Sequence, residues 1–351
     1  NAVRDPLLDA GELETEKNVV ANELGGVFGQ PDDVYQSGVD RALYWQYPWR
    51  RDVTGSEKSV RAATVATLRA LKDRFYVPNN AALFVGGDVT PDAVVAAAKK
   101  YLGDWPRGAD PWAAPAPPHP GLAKDVRLVY ADSQMYEGFA YVEIAFRGPD
   151  VLADPASTWA ADTWGKFLED PNGRFKTAIF NKVPGLYKKE YLWAYYATQR
   201  DGGYVSFSTY LQVSKSKPTG QRVIELAAAI QQELAAMASD PGYFTDHDYQ
   251  VLKAKLLDER ILERETASGL IGQLSFWWAS SSTDYYLGYA GNLARVGPAE
   301  IARWLQGWLI GKPSVTAVRL NTRDWSREKD ANQKAGFGTL TKDTAYWWAE
   351  A

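Results

Sequence analysis

Two carboxylates seven residues apart carry the first hint of chemistry in this chain. Glu16 and Glu23 bracket the run Lys17-Asn18-Val19-Val20-Ala21-Asn22. Seven residues are close to two helical turns, so the acids share one helix face while Val19 and Val20 turn inward. Acids stacked in this way suit metal ligation, with one binding the ion and the other orienting its ligands. An isolated pair at this spacing is more commonly a solvated acidic face. The residues alone leave both readings open.

Other reactive groups are sparse. The chain has two histidines and no cysteine. That excludes disulfides, thiolate nucleophiles and Cys-ligated zinc. His119 falls in a proline-rich stretch, where a solvated ring is expected. His247 lies in Phe244-Thr245-Asp246-His247-Asp248, near a helix start, where a capping or surface role is expected. Histidines in such unrelated contexts argue against a Ser-His-Asp triad. The sequence contains no G-x-S-x-G, Walker loop or strand-borne G-x-G-x-x-G, and Gly86-Gly87-Asp88 reads as a turn. Fourteen tryptophans and twenty tyrosines are many. They either line a cavity for extended peptide or sugar, or fill large cores. Trp277, Trp278, Tyr285 and Tyr286 have helical spacing and are expected to pack.

The elements that must position these groups follow from patterning. With 351 residues, 46% hydrophobic and 23% charged, the composition is that of a globular chain long enough for two domains. A net charge of −4 gives no reason to expect nucleic acid as a partner. No apolar run approaches the ~18 residues of a membrane span. The chain opens on Asn1 without a basic or apolar leader, which reads as a mature or truncated product.

A helix is expected over 12–24, ended by Gly25-Gly26. A polar turn at Pro31-Asp32-Asp33 and a mixed segment to Tyr44 follow. Ser56 caps a helix running to about Phe75, with Val60, Ala63, Val65, Leu68 and Leu71 inward. The apolar run 81–85 predicts a buried strand. Thr90-Pro91-Asp92 opens a further helix. Residues 105–124 hold Pro106, Pro111, Pro115, Pro117, Pro118 and Pro120, a semi-rigid linker. Beyond it, strands are predicted at 126–130 and 139–146, helices at 155–167 and 174–182, and paired strands at 187–197 and 203–213 around Asp201-Gly202-Gly203. Helices over 218–238, most of 244–293 and 298–309 precede a closing strand at 315–320. The class is α+β in layers. A faint echo of 62–68 in 298–304 suggests duplication.

Four segments, in this order, resemble the M16 zinc metallopeptidases, the pitrilysin and mitochondrial-processing-peptidase family. Glu16 to Glu23 matches the family's E-x6-E. Tyr47-Pro48 matches its Y-P before a basic or histidine position. Tyr76-Val77-Pro78-Asn79-Asn80 matches its Y-x-P-x-N, and Gly87-Asp88 its G-D turn. The resemblance implies tandem layered α/β-sandwich domains of the M16 type. Residues 1–104 would be the C-terminal part of a first, catalytic-type domain that is incomplete here. Residues 105–124 would be the linker, and 125–351 a second, chamber-forming domain. Two such halves, as a homo- or heterodimer or in one chain, would close like a clamshell around peptide.

In the family, two histidines of H-x-x-E-H and a downstream glutamate hold zinc, and the acid inside the motif activates zinc-bound water. The resemblance places Glu23 on that third ligand and Glu16 on the acid supporting a ligand histidine. This sequence contains no H-x-x-E-H. The expectation is therefore a zinc endopeptidase as the intact parent, with this chain binding no zinc and catalytically incompetent. The alternative is a non-catalytic M16-like partner subunit that binds peptide. The family's substrate-binding Arg, with Tyr seven residues later, is half present: Tyr187 falls on the tyrosine and Phe180 on the arginine. Export to the bacterial periplasm or envelope is the location the resemblance implies.

Overall fold

The computed structural model describes residues 3–349. The chain begins with helices α1 (Ala10–Val27), α2 (Pro31–Leu43), α3 (Glu57–Ala62), α4 (Val65–Phe75) and α5 (Pro91–Leu102). Strands β1 (Val126–Asp132) and β2 (Phe139–Arg147) follow, then α6 (Pro155–Leu168) and α7 (Arg174–Lys182). Next come β3 (Trp193–Ala197), β4 (Tyr204–Gln212), α8 (Thr219–Ser239), α9 (Asp246–Glu263), α10 (Ala267–Ser280), α11 (Thr283–Leu293) and α12 (Pro298–Trp308). The chain closes with β5 (Val315–Asn321), α13 (Thr322–Lys334), β6 (Gly338–Leu340) and α14 (Lys342–Ala345).

The strands form one mixed sheet in the order β3-β4-β2-β5-β1-β6. The β3/β4, β4/β2 and β2/β5 pairs are antiparallel, whereas β1 runs parallel to β5 and β6. Period-2 alternation divides the side chains between two faces. Ala140, Val142, Ile144 and Phe146 of β2 join Val205, Phe207 and Leu211 of β4 under α6, α7, α8 and α12. Helix α8 shows why: Val223, Leu226, Ile230 and Leu234 recur at helical spacing, and all are buried. Trp164 and Trp304 meet in this core with ring centroids 4.9 Å apart.

The opposite face is half covered. Helix α2 lies on it, burying Tyr35, Val39, Leu43 and Tyr44 against Ala145, Val315 and Ala317. Tyr35 Oη donates to the Ala317 carbonyl at 3.1 Å, and Tyr44 Oη to that of Gly202 at 2.6 Å. The C-terminal tail locks α2 from behind. Leu340, Tyr346 and Trp348 pack on Val34 and Phe28, and the guanidinium groups of Arg50 and Arg51 lie 5.1 and 5.3 Å from the Trp347 ring. The segment after α4 also meets α10: Phe84 lies against Trp278, and Gly86 against Ile271.

Several expectations for the first hundred residues need correction. Helix α1 runs through Gly25-Gly26 to Val27. Pro31 starts α2 rather than a turn, because its fixed φ suits the first helical position and Asp32 and Asp33 complement the helix dipole. The helix expected from Ser56 to Phe75 is two helices, since Thr64 caps α4 by accepting the Thr67 N–H at 3.1 Å. Residues 81–85 form no strand, and Leu83 and Val85 are exposed. A strand needs a ladder partner, and none of the described residues supplies one there. In the expected strand over 187–197, Lys189–Tyr191 is a 3₁₀ turn, and regular pairing starts at Trp193.

Candidate functional site

Where α2 stops covering the sheet, a groove of about 1110 Å³ opens. Its floor is the outward face of three strands: Phe139 and Tyr141 on β2, Ser208 and Tyr210 on β4, Trp193 and Tyr195 on β3. Register builds it. Tyr141 pairs with Tyr210, and Trp193 with Ser208, so their side chains stand side by side. Tyr187 and Tyr191 form one end, from the segment before β3. Asp32, Asp33, Tyr35 and Gln36 from the start of α2 form a wall.

Tyr187 is anchored by its backbone, and its ring stands on Phe139 edge-to-face at 5.4 Å. It is 39% exposed, with Lys188 Nζ 5.2 Å from its ring centroid. Phe180, on α7, does not line the groove. Arg319 does line it; its guanidinium is held by Asp132 at 2.7 Å and touches Asp32. Burial raises the Tyr195 hydroxyl well above its usual range and pushes Tyr141 up to about 12. Both rings therefore remain neutral hydrogen-bonding groups. Beneath them, burial raises the Glu143 carboxyl, which accepts from Ser206 Oγ at 2.8 Å.

Glu16 and Glu23 sit elsewhere, both exposed on α1. Glu16 borders a hollow of about 540 Å³ with Asp5, Asp9, Glu12 and Leu68. Neither carboxylate has a hydrogen-bonding or ionic partner among the described residues. Catalytic zinc takes about three protein ligands including nitrogen donors. Neither glutamate belongs to a set of metal-ligating side chains among the described residues. The residues present around Glu23 do not fit zinc.

The one such set among the described residues is His119, Asp150 and Asp201, with donor atoms within 4.8 Å of one another. His119 is not solvated as expected. It is half-buried, its ring 4.7 Å from that of Tyr47. Its Nδ1 meets Arg147 Nη2, a group that can only donate. The proton therefore sits on Nε2, which faces Asp150 Oδ2 at 2.9 Å. Asp150 Oδ1 accepts from the Gly202 and Gly203 amides at 2.6 and 2.9 Å. An ion on Nε2 would have to displace that proton while Nδ1 still faced a guanidinium. The cluster is a hydrogen-bonded joint tying the linker to the β2 exit and the β3–β4 turn.

His247 is exposed near the start of α9, as expected. Tyr285 and Tyr286 are buried and Trp277 stacks on Tyr285 at 4.9 Å, as expected, whereas Trp278 is exposed and, among the described residues, meets only the Phe84 ring, at 6.2 Å. Of the residues lining this groove, the sequence singles out Tyr187 but not Tyr191, Trp193, Tyr195 or Tyr210. The alternation of aromatics at 191, 193 and 195 was the available signal.

A layered α+β unit with a bare aromatic sheet face defines the class, and comparison with known proteins gives the family. Residues 62–256 match the peptidase M16 inactive domain, so the chain belongs to that family. Zinc protease YmfH of Bacillus subtilis is 30% identical over 104 residues, covering 30% of this chain and 24% of YmfH. A zinc protease of Mycobacterium bovis is 31% identical over 94 residues, covering 27% of this chain and 22% of the relative. The chain thus spans about a quarter of these relatives' length. Among solved structures, a protease from Helicobacter pylori superposes with a TM-score of 0.70 at 16% identity, over 89% of this chain and 72% of that one. The peptidase M16 inactive domain from Pseudomonas fluorescens gives 0.69 at 15%, over 91% and 72%. The periplasmic protease PqqL from Escherichia coli gives 0.65 at 14%, over 89% and 33%. These likenesses establish an M16-type fold.

Proposed function

We propose that this chain is the peptide-binding part of an M16-like zinc endopeptidase. Residues 1–104 belong to the rear of its catalytic-type domain, 105–124 to the linker, and 125–351 to the second, chamber-forming domain. The groove around Tyr187 is the wall against which an extended peptide lies inside a clamshell. The observation that carries this is the open aromatic half-face of the sheet, with Tyr187 at its end. Aromatic faces with interspersed hydroxyls and carboxylates suit extended chains. In the intact parent, Glu23 is the third zinc ligand and Glu16 supports a ligand histidine. This chain lacks H-x-x-E-H and does not hydrolyse peptide by itself. Zinc proteases among the relatives and the periplasmic neighbour PqqL support a zinc-dependent parent in the bacterial periplasm or envelope.

The second reading is a non-catalytic subunit that completes the chamber of an active partner, as a homo- or heterodimer. The presence of both Glu16 and Glu23 favours the first reading, and an H-x-x-E-H in the parent sequence, or its lack, discriminates the two. Fluorescence anisotropy with a labelled unstructured peptide tests the shared core of both readings. Saturable binding is expected, weakened about tenfold by Tyr187→Ala or Tyr210→Ala as for a truncated interface anchor. Absence of binding, or chelator-sensitive cleavage by the purified chain, overturns the proposal.

A further inference from the structure

On the helix-covered face of the sheet, across from the aromatic groove, a hollow of about 480 Å³ opens at the start of β5. Phe146 of β2 and Ile224 and Ala227 of α8 make its apolar wall. The other side is polar, with Lys124 and Arg127 at the start of β1 and Lys312, Ser314 and Thr316 at the start of β5. Gln231 of α8 fixes the loop before β5: its amide donates to the Leu309 carbonyl at 3.0 Å and accepts from the Gly311 N–H at 2.9 Å.

Two hydroxyls here serve no contact of the fold. Thr316 stands in a core register, since Val318 and Leu320, two and four residues on, belong to the main core on the same face. Thr316 is 4% exposed and Ser314 8%. The Ser314 backbone is satisfied, its amide donating to Asp125 Oδ1 at 3.0 Å and its carbonyl accepting from the Val126 amide at 2.9 Å. Neither hydroxyl has a hydrogen-bonding partner among the described residues. Burying a hydroxyl in that state costs stability unless something occupies the hollow.

Charge gathers here against the sign of the chain. Lys124, Arg127 and Lys312 line the hollow with Asp125 as their single acid, in a chain of net charge −4. Register sets Arg127 beside Thr316. Arg127 Nη1 donates to the Ala335 carbonyl at 3.3 Å, and Nη2 stands 3.9 Å from Asp125 Oδ2. Lys124 and Lys312 have no ionic partner among the described residues.

We propose that this hollow binds a small phosphate monoester. Its phosphate oxygens accept from the Ser314 and Thr316 hydroxyls and from Lys124, Lys312 and Arg127, and its organic part lies on Phe146, Ile224 and Ala227. A phosphate offers more acceptor oxygens and more charge than a carboxylate, which suits this number of donors and cations. The hollow has the size usual for small-molecule sites. The site stands apart from the peptide groove and does not rest on its reading.

Calorimetric titration of the full chain, at constant ionic strength, tests it with phenyl phosphate, inorganic phosphate and benzoate. Phenyl phosphate is expected to bind saturably, about tenfold tighter than either of the others. Thr316→Val keeps the shape of the side chain and removes its hydroxyl. It should weaken phenyl phosphate about fivefold or more, while the Tm of the ligand-free chain stays equal or rises. Lys312→Met should weaken the same ligand about tenfold. Absence of saturable binding of phenyl phosphate overturns the site. Benzoate binding as tightly overturns the choice of phosphate, and inorganic phosphate binding as tightly overturns the ester. A lower Tm in Thr316→Val with unchanged affinity would make its hydroxyl a structural group and overturn its role.

Discussion

The Tyr187 amide donates to the Tyr210 carbonyl at 2.9 Å, which fixes the end of the groove to its floor. Two residues earlier, Gly185 has φ +83° and its carbonyl accepts the Gln212 amide at 2.9 Å. A Cβ on Gly185 would lie 2.1 Å from Arg222 Nη2, in a conformation that L residues avoid. Arg222 cannot easily yield, since its guanidinium binds the Pro184 carbonyl at 2.6 Å and also touches that of Gln212. Gly185→Ala should therefore destabilise the chain by about 1–3 kcal/mol. It should also weaken peptide binding by displacing Tyr187. Urea unfolding and anisotropy check the two effects separately.

The interface between α2 and the sheet should depend on pH. Asp40 of α2 is half-buried, and burial is the largest cause of its pKa rising to about 7; Glu143 and Asp52 push it further, while a hydrogen bond from Gln36 opposes the rise. The unfolded carboxyl titrates near the ordinary value. Between about pH 4 and 7 the native state therefore holds a proton that the unfolded state has released. Stability from this group is complete below that window and is lost as pH rises through it, at ~1.4 kcal/mol per unit for one group. Asp162, beside Tyr289 and Thr198, rises to about 7 for the same first cause and adds a similar slope. Asp40→Asn should remove one share, leaving the variant about 1–3 kcal/mol more stable at pH 8 and little changed near pH 4. Thermal melts of both proteins from pH 4 to 8 decide it. Parallel curves would show that Asp40 is solvated.

The joint at His119 should hold the linker in place. Asp150→Ala leaves the Gly202 and Gly203 amides without their acceptor and should cost roughly 2–3 kcal/mol. His119→Ala frees the linker from Arg147 and Asp150 with smaller loss, because the ring is only half-buried. Hydrogen exchange in the linker around residue 119 should accelerate in His119→Ala while the sheet stays protected. Uniform acceleration would mean that the contact supports the whole fold.

What was legible in sequence was what local physics decides. Helix α8 announced itself by its stripe, and α5 by Thr90 and Pro91 at its start. Strands β1 and β2 stood out as apolar and alternating runs. Helix α2 carried Val34, Tyr35, Val39 and Leu43 at helical spacing, but Pro31-Asp32-Asp33 also fits a turn, and local composition could not choose. The run 81–85 looked like a core strand; its exposure depends on which partners reach it. The groove was hidden for a related reason. Tyr141 and Tyr210 lie far apart in sequence, and cross-strand register brings them together. Tyr187, by contrast, was reachable from a motif.

On the proposed reading, Glu16 and Glu23 give the sharpest divide between this chain and a parent that carries H-x-x-E-H. Both are exposed on α1, so Glu16→Gln and Glu23→Gln should change the stability of this chain by less than about 0.5 kcal/mol. Elemental analysis should find no stoichiometric zinc in the chain or in either variant, since a lone carboxylate does not hold the ion. In a parent that carries H-x-x-E-H, the same substitutions should separate. Glu23→Gln removes a ligand, so zinc content and peptidase activity should fall together. Glu16→Gln leaves the ligands in place but loosens a histidine, and should weaken zinc affinity by ~10–100-fold. A Glu23→Gln parent with full zinc would refute the ligand assignment. Stoichiometric zinc in this chain, lost with Glu23→Gln, would show that α1 finds donors beyond those described here.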